Sequence, residues 1–168
     1  MRGRRSPLLG RLRVGGVGTE GTAGERWQID PGFDLDVFLA EPLVARVATA
    51  GPAVRPVWFL WEAGSFWWLT GPWTALAETL ATDAEVALVV DTCDLSTGEV
   101  LQVVARGTAE LAPFDPDRAI RKLSRYLGAN MDHWDPRFRL ENNRDPRIRF
   151  VRLTPRTLRA RDLSFESG

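Results

Sequence analysis

The sequence predicts a mainly β chain: a small closed or partly closed antiparallel barrel of about six strands with two or three short helices. Three observations carry this. From residue 44 onward, runs rich in β-branched and aromatic residues alternate with turns containing Gly and Pro. Two stretches with helical spacing each open on a proline, Pro72 and Pro116. The 168 residues, 44% of them hydrophobic, leave room for one domain with a real core.

Residues 1–26 are rich in Gly and Arg and poor in core formers, so they read as a disordered tail ahead of one domain at 27–168. Phe33, Leu35, Val37, Phe38 and Leu39 suit a short helix ending before Pro42. Val44–Thr49 is the first strand of a meander, with Val44, Arg46 and Ala48 on one face. After the turn at Ala50–Ala53, Val54–Glu62 is the second strand. Pro56 lacks an N–H, so this strand is an edge there or is bulged. Ala63-Gly64 turns the chain into Ser65–Thr70. The helix opened by Pro72 carries Leu76 and Leu80 on one face, with Trp73 on the same side, and ends before Asp83. Val86–Asp91 and Glu99–Glu110 read as long strands. Asp115 caps the next helix, Pro116 takes its first position and Gly128 ends it. In that helix Ile120, Leu123 and Leu127 form the apolar spacing, and Arg118, Arg121, Lys122 and Arg125 read as the solvated face. Residues 129–146 look irregular. Ile148–Leu153 is a further strand, and Leu158–Leu163 pairs at an edge.

Composition removes several chemistries. Cys93 is the sole cysteine and His133 the sole histidine, so neither an internal disulfide nor a Cys- or His-rich metal site can be built. A Ser-His-Asp triad would have to use His133, which lies in a polar, turn-like stretch between Asp132 and Trp134. A reducing cytoplasm is the expected compartment. No apolar run is long enough for a membrane span, and no apolar stretch follows Arg4 and Arg5 as an export signal would need. Net charge is zero, distributed as +4 over 1–26, −9 over 27–105 and +5 over 106–168. That leaves no continuous basic face for nucleic acid.

Three features point to a ligand. Arg46 and Arg55 stand alone in the acidic, apolar half, nine positions apart on adjacent strands. Each needs a carboxylate or a bound anion, and both readings stay open. Trp58, Trp61, Trp67, Trp68 and Trp73, with Phe59 and Phe66, exceed what one small core needs. They fit either core plus a dimer contact or the walls around a planar ring. Finally, Thr70-Gly71-Pro72-Trp73-Thr74 opens a helix directly after a strand, where Thr70 either caps the helix or joins Thr74 at an anion site.

The order of these parts resembles the pyridoxamine 5′-phosphate oxidase-like family of FMN-binding split barrels. Its carriers are Val44–Thr49, then Gly51 with Val54–Phe59, then Ser65–Gly71, a helix before Asp83, and Val86–Asp91. The resemblance implies a six-stranded split β-barrel and a homodimer with FMN in a groove between subunits. It implies that Arg55, Pro56, Val57 and Trp58, and Leu69 and Thr70, line that groove, with Arg55 at the phosphate and Arg46, Trp73 and Thr74 nearby. It implies an oxidoreductase acting on a small molecule of unassigned identity. Similar proteins use a deazaflavin, coenzyme F-420, and a non-catalytic dimer with another planar ligand is the third reading. This chain departs from the family where Ser-Arg-Lys is usual at the first helix. Here Trp73-Thr74-Ala75-Leu76 carries no base, so phosphate cations would come from Arg46, Arg55 or a partner's arginine.

Overall fold

The computed structural model describes residues 26–142 and 145–166. Most of the expected tail therefore lies outside the described residues, and Arg26 already belongs to a strand. In chain order the elements are β1 (Arg26–Ile29), α1 (Leu35–Ala40), β2 (Val44–Thr49), β3 (Ala53–Glu62), β4 (Ser65–Thr70), α2 (Leu76–Thr82), β5 (Glu85–Asp91) and β6 (Leu101–Ala112). They continue with α3 (Pro116–Leu127), three 3-10 turns between Met131 and Asn142, β7 (Arg149–Leu153) and β8 (Thr157–Asp162).

Strands β6-β5-β2-β3-β4-β7 run in that order, and β7 pairs back onto β6, closing a six-stranded antiparallel barrel. The expected fold class holds. Strand alternation selects the interior. Ala45 and Val47, Phe66 and Trp68, and Val86, Leu88 and Val90 point inward and are buried. Phe59, Val103, Ala105, Val151 and Leu153 join them, and α1 and α2 add Leu35, Phe38, Leu39, Leu76 and Leu80 to the same core.

The predicted edge at Pro56 is present. There β3 pairs with Arg46 of β2 on one side, while its pairing to β4 begins only at Phe59. The expected edge pairing of Leu158–Leu163 is corrected. β8 lies inside the sheet, antiparallel to β6 and parallel to β1. A four-residue parallel strand so close to the chain's start leaves little periodic signal to read.

β6 is long because it serves two neighbours. Its first half pairs with β8 through Arg106↔Thr157, and its last residues pair with β7 from Ala109↔Leu153. Two residues of β6 thus face three of the chain between β7 and β8, which makes a bulge. Gly107 sits at this crossing. A Cβ there would lie 2.9 Å from the Thr154 carbonyl oxygen and 3.2 Å from the Arg156 nitrogen. Arg156 N–H also donates to the Arg106 carbonyl at 2.9 Å, so that backbone has little room to move. Gly107→Ala is expected to destabilise the protein by about 1–3 kcal/mol, lowering Tm by several degrees in a calorimetric scan. An unchanged Tm would show that the crossing is looser than its contacts indicate.

Candidate functional site

Helix α3 lies across the outer face of β3 and β4. Its start is set as the sequence predicts: the Asp115 carboxylate accepts from Arg118 N–H at 3.0 Å, and Pro116 follows. Its orientation differs from the expectation. Ala119, Lys122 and Leu123 are the buried positions, and Tyr126 continues that face at helical spacing. Lys122 is therefore not on a solvated face; it is only 4% exposed. Arg118 and Arg125 also turn towards the barrel. The Arg118 guanidinium lies 3.8 Å from the centre of the Trp67 ring and donates to Glu62 at 2.9 Å. Arg125 donates to the carbonyls of Leu39 (2.7 Å), Glu41 and Phe59 (3.3 Å). The Tyr126 hydroxyl accepts from Phe59 N–H at 3.0 Å and lies 2.7 Å from the Leu43 carbonyl oxygen.

Between this helix layer and the sheet lies a cavity of about 500 Å³. Pro56, Val57 and Trp58 of β3, Leu69 of β4 and Trp73 form its sheet side. Phe114, Lys122 and Leu123 form its helix side, and Arg137, Phe138, Leu140 and Ile148 complete the lining. The volume falls within the roughly 300–1,000 Å³ common to small-molecule sites. Trp58 is fixed between two rings: it stacks on Tyr126 with centroids 4.7 Å apart and planes 4° off parallel, and it meets Phe138 at 5.3 Å. Trp73 is 60% exposed and folds back over Gly71, where a Cβ would come within 2.4 Å of the indole. The glycine therefore lets the indole lie flat against the chain beside the cavity.

Lys122 is the unusual member of this lining. Among the described residues no carboxylate ion-pairs with it and no acceptor takes its hydrogen bonds. Its ammonium lies 5.8 Å from the centre of the Trp58 ring and 6.0 Å from that of Tyr126. Burial, with the Arg125 charge adding to it, pushes its pKa down to about 8. Among the described residues no acidic side chain lines the cavity.

Five of the residues expected at a ligand groove, Pro56, Val57, Trp58, Leu69 and Trp73, come together in this one cavity. The other four do not line it. Arg46 and Arg55 sit on opposite faces of their strands, because Val47, not Arg46, is the cross-strand partner of Arg55. Arg46 is exposed and ion-pairs with Asp91, whereas Arg55 is half-buried and donates to Thr49 Oγ1 at 2.8 Å. Thr70 is fully buried, and its hydroxyl has no hydrogen-bond partner. It caps nothing, since Gly71–Ala75 is a turn and α2 starts only at Leu76. Thr74 lies in that turn, its N–H donating to Gly71 at 3.2 Å. With seven residues and no side-chain cap, α2 is too short to make the anion site the sequence suggested. The sequence reading missed the helix side. One signal was available: Lys122 is the only lysine among 22 basic residues.

A closed six-stranded barrel with an aromatic-walled cavity on its outer face defines the split-barrel class. The sequence model of the pyridoxamine 5′-phosphate oxidase family matches residues 34–162, and the chain belongs to that family. Solved structures share the fold. A conserved hypothetical protein from Mycobacterium tuberculosis superposes with a TM-score of 0.63 at 21% identity, covering 86% of this chain and 90% of that one. An FAD-binding protein from Mesorhizobium loti gives 0.54 at 20% identity, covering 76% and 91%. A heme storage protein from Vibrio cholerae gives 0.53 at 13% identity, covering 76% and 90%. No curated protein matches the sequence. No helix among the described residues is long and apolar enough to cross a membrane.

The buried ammonium should govern stability in the alkaline range. The folded pKa of Lys122, about 8, lies below its usual 10.5, so the unfolded chain binds more protons between those values. Stability of the ligand-free protein is therefore expected to rise as pH increases from about 8 towards 10.5. Below pH 8 the full penalty, about 3 kcal/mol, is present. Lys122→Met is expected to raise Tm at pH 7 by several degrees and to flatten that rise. Denaturant melts of both proteins at pH 7, 8.5 and 10 check it, and a less stable K122M would refute it.

Proposed function

We propose that this chain binds a flavin, FMN, against the sheet side of the cavity and acts as an oxidoreductase on a small molecule. The observation that carries the reading is the convergence of Pro56, Val57, Trp58, Leu69 and Trp73 on one aromatic-walled cavity. These are residues that family resemblance puts beside the flavin. When bound, the flavin ring would supply the hydride chemistry. The residues present fit such a group. Trp58, held by Tyr126 and Phe138, offers a rigid apolar surface to a planar ring, and the aromatic lining keeps water from it. Arg55 does not line the cavity, so in this reading the phosphate would have to run out of it past Pro56 to meet Arg55, which stands there with the Thr49 hydroxyl at its side.

The cavity opens near Trp73, whose exposure suits coverage by a second copy of the chain, so the working form in this reading is a homodimer. Coenzyme F-420 fits the same planar walls and is the alternative cofactor. A haem is less well served: the only histidine, His133, is exposed and does not line the cavity. A cytoplasmic location agrees with the single exposed cysteine, Cys93.

An absorption spectrum of the freshly purified protein, followed by FMN titration, tests the reading. Flavin bands or submicromolar FMN binding are expected, and Arg55→Ala is expected to weaken FMN at least about tenfold. Preference for the deazaflavin would change the cofactor and keep the site. Binding of neither would leave a non-catalytic dimer. Unchanged FMN affinity in R55A would remove Arg55 from the phosphate.

A further inference from the structure

The outer face of β1, β8 and β6 carries charge that the fold leaves unanswered. Val103, Ala105, Leu158 and Ala160 point into the barrel and are buried, so the alternate residues of β6 and β8 point out. Those outward positions hold Arg106, Arg159 and Arg161, and β1 adds Arg26 on the same side. All four are exposed, and together they line a groove of about 370 Å³. We propose that this groove is a second ligand site, which takes the diphosphate group of a small molecule. The proposal stands apart from the flavin reading, because the groove shares no lining residue with the aromatic cavity.

Register sets the spacing. Arg26 and Arg106 are the two cross-strand neighbours of Thr157, so their backbones stand about 10 Å apart with Thr157 between them. Arg159 follows two residues along β8, between Gln28 and Val104, and Arg161 two residues further, opposite Gln102. Three strands thus bring four guanidinium groups to one small area. Like charges set side by side on a sheet destabilise it. Among the described residues none of the four ion-pairs with a carboxylate, and no acidic side chain lines the groove. The acids at its margins are engaged elsewhere. The two Glu85 oxygens accept from Arg156 at 2.7 and 2.6 Å, and Asp91 ion-pairs with Arg46. An Asp30 carboxylate oxygen accepts the Asp162 N–H at 3.1 Å. The counter-charge is left for a ligand. Guanidinium forks match phosphate oxygens in pairs, and four forks exceed what a single phosphate needs. The volume suits a small molecule. No aromatic ring lines the groove, so it lacks the stacking platform that single-stranded nucleic acid uses. Gln28 and Gln102 offer neutral donors and acceptors to the remainder of the ligand.

The probes are pyrophosphate, orthophosphate and sulfate, titrated calorimetrically into the full chain in metal-free buffer of matched ionic strength, with and without FMN. Pyrophosphate is expected to bind at least about tenfold tighter than either smaller anion, whether or not FMN is present. Arg159→Gln is expected to weaken pyrophosphate about tenfold, and to melt no lower than wild type because a like charge has gone. Arg106→Gln, on a different strand, is expected to do the same. Equal affinity for the three anions, or binding of none, would overturn the proposal by leaving only diffuse surface charge. Pyrophosphate affinity unchanged in both variants would overturn it as well. Loss of pyrophosphate binding on adding FMN would do so too, by placing the cofactor's own phosphate in the groove. Selective pyrophosphate binding in a protein that takes up no FMN would instead sink the flavin reading and leave this one standing.

Discussion

The Tyr126 hydroxyl sits where two strands part, and the site depends on it. β2 pairs with β3 only as far as Val44↔Trp58, so Phe59 has no strand neighbour on that side. Buried backbone groups must find partners. Tyr126 accepts the Phe59 N–H and reaches the Leu43 and Phe59 carbonyls, and Arg125 takes up the carbonyls of Leu39, Glu41 and Phe59. Two adjacent side chains of one helix thus close the split in the barrel. In doing so they fix how α3 is rotated. One turn back, Lys122 must face the sheet, and a further turn back Arg118 must lie over Trp67. Because polar contacts at its two ends hold the helix, its middle need not pack down on the strands. The cavity occupies the space that remains.

This arrangement explains what could be read in the sequence. The meander was legible because its signals are local: alternation in β2 to β5, the tight turn at Ala63-Gly64, and the proline edge at Pro56. The change of partners along β6 was not, since it crosses a bulge that only Gly107 and its neighbours reveal. Pro72 was read as a helix start, but a proline suits a turn as well, and the chain uses it before α2. The rotation of α3 was misread for a physical reason. Ile120, Leu123 and Leu127 make an ordinary apolar spacing, yet only Leu123 of the three is fully buried. The true face is held by hydrogen bonds and ring contacts of polar residues, which a hydrophobicity pattern counts as outward.

The same reasoning divides the site. Its sheet side lies on strands whose alternation and family resemblance both point to it, so Pro56, Val57, Trp58, Leu69 and Trp73 were legible. Arg46 and Arg55 were paired by proximity in sequence, but strand register decides faces, and a one-residue offset sends their side chains apart. The helix side was missed because its key member has the residue type most expected at the surface.

That residue type also explains the chemistry. The chain fills its basic positions almost entirely with arginine, yet places its one lysine in the cavity. A guanidinium stays charged at any accessible pH and brings five donors, all of which a dry aromatic wall would leave unmet. An ammonium is compact and can release its proton when burial becomes too costly, as the depressed pKa of Lys122 shows. The fold can thus relieve part of that cost by giving up the charge as pH rises past about 8. An arginine at this position could not discharge in the same way.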